Sequence, residues 1–219
     1  MPILISGISG VRGIINDGFD EEVVEVYTRA FAQLMDKGRI VIAQDSRPSG
    51  AMFKGIVEKT LNQLGCEIID CGICPTPTAQ LMVKDLNARG GIIVTASHNP
   101  IEWNALKFVG DEGLFLDSEE HKQLQAELLE VKEAGPLEAE PSGSVTKLDD
   151  RIERHIENVM ALDLINADAI RELRPKVVID AINGAGSEAL PSFLERLGCE
   201  VFPINCDNDG NFVHTPERS

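Results

Sequence analysis

Apolar residues recur along this chain with two alternating periods. Residues 20–37 place Val23, Tyr27, Ala30, Phe31 and Leu34 three or four positions apart, one stripe of a helix, and Gly38 stops the run. Short apolar runs at 4–8, 39–43, 66–73, 91–95 and 105–109 are bounded by glycines or turn residues and predict strands. Helical spacing returns at 49–64, closed by Gly65, and at 78–86. A hairpin turn is expected at Asp111-Glu112-Gly113, followed by a polar surface helix over 118–131 capped by Ser118.

The pattern breaks at 135–144, where Gly135, Pro136, Pro141 and Gly143 punctuate a stretch of low hydrophobicity that reads as a linker. A helix is expected over 148–160. A second unit then runs strand 176–182, helix 187–197, strand 199–204. Strand–helix–strand repetition argues an α/β fold. The expectation is a mixed sheet between helices in a first domain, residues 1–147, followed by a partial second α/β domain, 148–219. That second unit holds only about 40 residues of clear pattern, short of a typical domain, so the chain reads as cut.

Charge and cysteines narrow the classes. With 20 basic and 36 acidic residues the net charge is −16, which argues against a nucleic-acid binder. No apolar stretch approaches a membrane span and no basic-then-apolar leader opens the chain, so a cytoplasmic protein is the default. Five cysteines without a secretory signal predict reduced thiols. Cys71 and Cys74 form a C-x-x-C, but Pro75-Thr76-Pro77 separates them from the helix terminus that would acidify a redox pair, and packing is the reading.

The richest chemistry follows the strand at 91–95. Thr95-Ala96-Ser97-His98-Asn99-Pro100 ends a buried strand on a hydroxyl and then turns, because proline pushes Asn99 out of the helical region. Lys107 stands beyond that turn, where a hairpin-like return brings an ammonium back towards Ser97. Arg12 sits between Gly10 and Gly13, and Arg47 precedes Pro48. A fixed hydroxyl with nearby cations suits phosphoryl transfer. By spacing alone Ser97 reads equally as a turn serine, His98 as a loop histidine, Arg12 and Lys107 as solvated charges, and Arg47 as a partner of Asp45. Ser97 and His98 are adjacent in sequence and point apart, so they form no hydrolase pair.

Two further motifs compete. Gly184-Ala185-Gly186 with Ala189 fits a dinucleotide fingerprint between a strand and a helix, with Asp207 near the end of the next strand. The residues from Asp180 to Asn183 make its turn longer than that motif requires. A nucleotide-binding α/β module using Gly184 and Gly186 is the alternative function. Asp207, Asp209 and Gly210 mimic the start of a calcium loop, but Pro216 stands where a bidentate Glu is needed.

Four segments in order resemble the α-D-phosphohexomutase family: Gly7-Ile8-Ser9-Gly10-Val11-Arg12-Gly13, Asp45-Ser46-Arg47-Pro48-Ser49, Pro75-Thr76-Pro77-Thr78, and the Thr95–Pro100 stretch just described. The resemblance implies an isomerase that interconverts hexose 1- and 6-phosphates through a phosphoserine at Ser97 and a bisphosphate intermediate. It assigns catalysis to Ser97, Lys107, Arg12 and His98, and substrate binding to Arg47 and Asn104. Mg²⁺ is the implied metal, bound to Ser97 through its phosphate, and a hexose 1,6-bisphosphate the activator. Trp103-Asn104-Ala105-Leu106 leans towards glucosamine phosphate, with Ala105 where the family has glycine. Residues from Asp209 to His214 and Pro216 resemble an Asp-Gly-x-Phe loop of the second domain. The family's metal-binding Asp-Gly-Asp-x-Asp-Arg is absent. The expected partners are a hexose phosphate and the remainder of a full-length enzyme, with no nucleic acid and no membrane; the 219 residues alone are expected to be inactive.

Overall fold

The computed structural model describes residues 3–215; Pro216 lies outside them. The chain opens with strands β1 (Leu4–Gly7), β2 (Gly10–Ile15) and β3 (Gly18–Phe19), then helix α1 (Glu21–Leu34). Next come β4 (Arg39–Gln44), α2 (Gly50–Gln63), β5 (Glu67–Ile73), α3 (Thr76–Asp85), β6 (Gly90–Val94), β7 (Trp103–Gly110) and α4 (Ser118–Ala134). The remainder is β8 (Ser144–Lys147), α5 (Arg151–Met160), α6 (Ala167–Leu173), β9 (Lys176–Asp180), α7 (Gly186–Arg196) and β10 (Glu200–Ile204).

Eight strands form one mixed sheet in the order β1-β2-β7-β6-β4-β5-β8, with β3 paired to β2. The pairs of β4 with β5 and β6, and of β5 with β8, are parallel; β6 with β7, β2 with β7 and β1 with β2 are antiparallel. Alternation along β4 decides the layers. Ile40 and Ile42 join Phe31, Phe53, Leu61 and Phe108 under α1, α2 and α4. Val41 and Ala43 face Met82, Val83, Ile152 and Ile156 under α3 and α5. Phe31 stacks on Phe108 with ring centroids 5.0 Å apart; truncating such a fully buried ring costs about 3–5 kcal/mol. β9 and β10 make a separate two-stranded parallel sheet. The expected α/β fold, with a mixed sheet between helices and a smaller second α/β unit, is the one observed. No helix among the described residues is long and apolar enough to cross a membrane.

Several local features go beyond the sequence pattern. The residues around Arg12 form strand β2, hairpin-paired with β1. Gly10, at φ +111°, permits that pairing to approach β7: a Cβ there would lie 2.0 Å from the Leu106 carbonyl oxygen. α4 is capped by Asp117 rather than Ser118. Its carboxylate accepts from the amides of Glu119 and Glu120, and Glu120 reaches back to the Asp117 amide. β8 begins at the last residue of the expected linker and fills the stretch before the expected helix. It pairs with the edge of β5 through its main chain while all four residues stay exposed, so no apolar pattern announces it. α6 is a two-turn helix with no buried residue, equally silent in the pattern.

Cys66, Cys71 and Cys74 are buried free thiols. Burial pushes Cys66 up to about 11 and Cys71 up to about 12, and raises Cys74 as well. Only thiolates alkylate readily. Iodoacetamide at pH 8 is therefore expected to label the half-buried Cys199 and Cys206 in the native protein. The other three should react only after unfolding, and peptide mass mapping separates the outcomes. Native labelling at Cys71 would contradict this.

Candidate active site

Parallel strands β4 and β6 end side by side, with the Asp45 amide donating to the Val94 carbonyl at 3.0 Å. Ligands in open α/β sheets gather at such carboxyl ends. Here the two turns that follow, residues 45–49 and 95–102, are tied into one unit. Asp45 accepts from the Arg47 amide at 3.0 Å and from Arg47 Nε at 2.9 Å, while Thr95 Oγ1 donates to its Oδ2 at 2.6 Å. Thr95 Oγ1 in turn accepts from the Ser97 amide at 3.0 Å. Asn99 bonds the Ala96 carbonyl through both its amide and its side chain.

Arg47 closes the unit. Besides Asp45, its Nη1 donates to the carbonyls of Pro100 (2.7 Å) and Trp103 (3.1 Å), and its Nη2 to those of Ser97 and Asn99 (both 2.7 Å). All five guanidinium N–H groups are thus used. Ser97 itself sits at φ 58°, a left-handed conformation that costs a non-glycine residue about 1–2 kcal/mol. That cost is carried because the network over-determines the loop. The result is an exposed serine on a rigid turn.

The cations arrive on β2 and β7. Those strands are antiparallel with Arg12 opposite Ala105, and β6 pairs with β7 so that Ile93 faces Lys107. Arg12, Ala105 and Lys107 therefore share one face of the sheet. Ala105 takes an ordinary strand conformation here, its carbonyl accepting from the Thr95 amide at 3.1 Å. Lys107 sits within the expected strand, half-buried, with Nζ 5.5 Å from the Phe115 ring centroid. Burial lowers its pKa; Asp45 opposes that shift and Arg12 adds to it.

Ser97, His98, Arg12 and Lys107 line one cavity of about 200 Å³, together with Ser9, Gly10 and Asn99. Sequence reasoning singled out these four, and the fold brings them together. Arg47 and Asn104 do not line that cavity. Asn104 is fully buried, its Nδ2 donating to Ser49 Oγ at 2.8 Å and its Oδ1 accepting from the next amide. Thr95, which holds the Ser97 amide, and Asp45, which holds Thr95, were not singled out for that task; Asp45 standing two residues before Arg47 was the available signal.

Ser97 also borders a second crevice of about 190 Å³ against the second unit, lined by Asp45, Thr76, Gly184, Ala185 and Phe212. The Gly184 amide bonds back to the Ala181 carbonyl at 2.7 Å, and Ser187 Oγ to the Gly184 carbonyl at 2.7 Å. The glycine-rich turn thereby closes on itself. For Mg²⁺, the donor set decides. Among the described residues no three His, Cys, Asp or Glu side chains stand close enough to hold a metal. Asp45 is already engaged by Arg47 and Thr95. Mg²⁺ demands a near-octahedral oxygen shell, and one phosphate on Ser97 does not make it, so these residues do not by themselves fit the ion.

Comparison with known proteins gives the family. Family models described as phosphoglucomutase/phosphomannomutase, alpha/beta/alpha domain I and domain II, match residues 4–135 and 153–219. A "Phosphoglucomutase/phosphomannomutase" of Thermococcus kodakarensis is 37% identical over 217 residues, covering 96% of this chain and 47% of its own length. A "Phosphoglucosamine/phosphogalactosamine mutase" of Sulfurisphaera tokodaii is 32% identical, covering 94% and 45%. A solved structure from Thermus thermophilus, provisionally assigned as a phosphomannomutase, is 27% identical with a TM-score of 0.80, covering 93% of this chain and 46% of that one. The chain spans about half the length of the curated relatives it matches. With both domain models matched in order along most of its length, the chain belongs to the phosphoglucomutase/phosphomannomutase family.

Proposed function

We propose that this chain carries the phosphoserine part of an isomerase that interconverts hexose 1- and 6-phosphates. The observation that carries it is Ser97, held left-handed and exposed beside Arg12 and Lys107 in one small cavity. In the forward step a sugar hydroxyl oxygen attacks the phosphorus on Ser97. The new O–P bond forms as the Oγ–P bond breaks, and the hydroxyl proton passes to a neutral Lys107. Ser97 Oγ leaves and takes up a proton. The resulting bisphosphate turns over and returns its other phosphoryl group to Ser97 by the reverse step.

Burial suits Lys107 to this task, because a lowered pKa enlarges its neutral fraction near neutral pH. Arg12 faces the oxygens that gain charge in transfer. His98 lines the same cavity, in reach of a group that enters it. Arg47 acts by holding the loop, since its Nη donors are spent inside it, and Asn104 by its bond to Ser49 in the adjoining turn. Mg²⁺ would neutralise the phosphoryl group when bound; the residues here supply at most the Ser97 phosphate, so no step above runs through it. Glucosamine phosphate is the favoured substrate, supported by residues 103–106 and by relatives named phosphoglucosamine mutase. Turnover, with a cytoplasmic location, is assigned to the full-length protein.

The test is isotope transfer. Full-length protein incubated with ³²P-labelled hexose 1,6-bisphosphate should yield one labelled peptide, spanning Ser97. Label elsewhere, with none on Ser97, would falsify the reading.

A further inference from the structure

The Ser97 loop is gripped from two sides, and one grip comes from the second unit. Arg47 is 1% exposed with every N–H bonded in its own plane, so only the faces of its guanidinium remain open to a partner. Arg47 Cζ lies over the Phe212 ring, 5.4 Å from its centroid. Gly210 delivers that ring. It sits at φ +70°, and a Cβ there would stand 1.9 Å from the Ser46 carbonyl oxygen and 3.1 Å from the Arg47 amide, so only glycine lets the two backbones meet. Asn183 braces the loop from behind. Its carbonyl accepts from the Gly210 amide at 3.0 Å, its Nδ2 donates to the Asn211 carbonyl at 3.1 Å, and its Oδ1 accepts from the Asp207 amide at 3.1 Å. Phe212 and Ser97 line the same crevice.

An aromatic ring over a guanidinium attracts it and keeps water from the carbonyls it binds, which strengthens those bonds. We propose that residues 209–212 form a lock in which Phe212 fixes Arg47, making Arg47 the positioning residue for Ser97. The placement of the second unit then sets the position of the phosphoryl-carrying hydroxyl. The kinetic consequence rests on the phosphoserine reading above; the structural consequence does not.

The experiment compares Phe212→Leu and Phe212→Tyr in the full-length protein. It reads amide hydrogen exchange at Ser97 and Asn99 together with phosphoryl uptake from a hexose 1,6-bisphosphate. Phe212→Leu should speed exchange at those two amides about tenfold while amides in α1 keep their rates. Its maximal uptake rate should fall about tenfold at an unchanged half-saturating concentration, because the loop is misplaced for transfer and not for binding. Phe212→Tyr keeps the ring and should restore both within about twofold. Wild-type exchange at Ser97 and Asn99 in Phe212→Leu overturns the lock, as does a uniform rise that includes α1 or a failure of Tyr to restore. Absence of label on wild-type Ser97 overturns the phosphoserine reading instead, and the exchange rates then decide the lock alone.

Discussion

Ser97→Ala in the full-length protein is expected to take up no phosphoryl group and to lose hexose phosphate interconversion by about four orders of magnitude or more. Other hydroxyls near the cavity are poorly placed to replace it. Thr95 Oγ1 is bound to Asp45 and to the Ser97 amide. Ser9 lines the same cavity but lies just ahead of β2, outside the turn that the Arg47 network holds. Because Ser97 is exposed and its backbone bonds stay in place, the substitution should shift stability by only about 0.5 kcal/mol. Steady-state turnover and a denaturant melt decide the matter together: a folded Ser97→Ala enzyme with near-normal turnover ends the phosphoserine proposal.

Lys107→Met should lower kcat by about two to four orders of magnitude, the usual cost of losing a positioned acid–base group or charge. The methionine keeps the length of the chain in its half-buried strand position, so little packing is lost. The pH dependence carries a sign. Burial holds the Lys107 pKa below its unfolded value, so wherever Lys107 is protonated the native state bears the cost of a half-buried charge. As pH rises through the folded value towards the ordinary lysine value, the native state gives up its proton first. The unfolded state then binds more protons, and stability rises with pH. Wild type should therefore gain stability relative to Lys107→Met on the alkaline side, and denaturant melts of the two across that range measure the difference. Retention of near-normal kcat in Lys107→Met would make Lys107 a structural charge and leave Arg12 as the leading candidate.

Much of this was legible in residue order. Continuous apolar runs such as Ile40-Val41-Ile42-Ala43 and the helical stripe from Val23 to Leu34 determine their own local structure, because a strand buried on both faces and a helix buried along one stripe each leave that pattern in residue order. Ser97, Lys107 and Arg12 were legible as chemistry because glycine and proline mark the turns around them. What remained illegible shares one cause: it depends on groups distant in sequence. β8 exists only because β5 offers an unpaired edge. Arg12 lies on a strand because β7 comes alongside. The pairing of Arg47 with Asp45 was legible from their spacing, but its other four bonds go to carbonyls some fifty residues away. The sequence by itself determined the elements and the nucleophile's turn. The tertiary structure alone decided which charges face the cavity and which are spent holding it, since a buried cation is stable only where the completed fold supplies its acceptors.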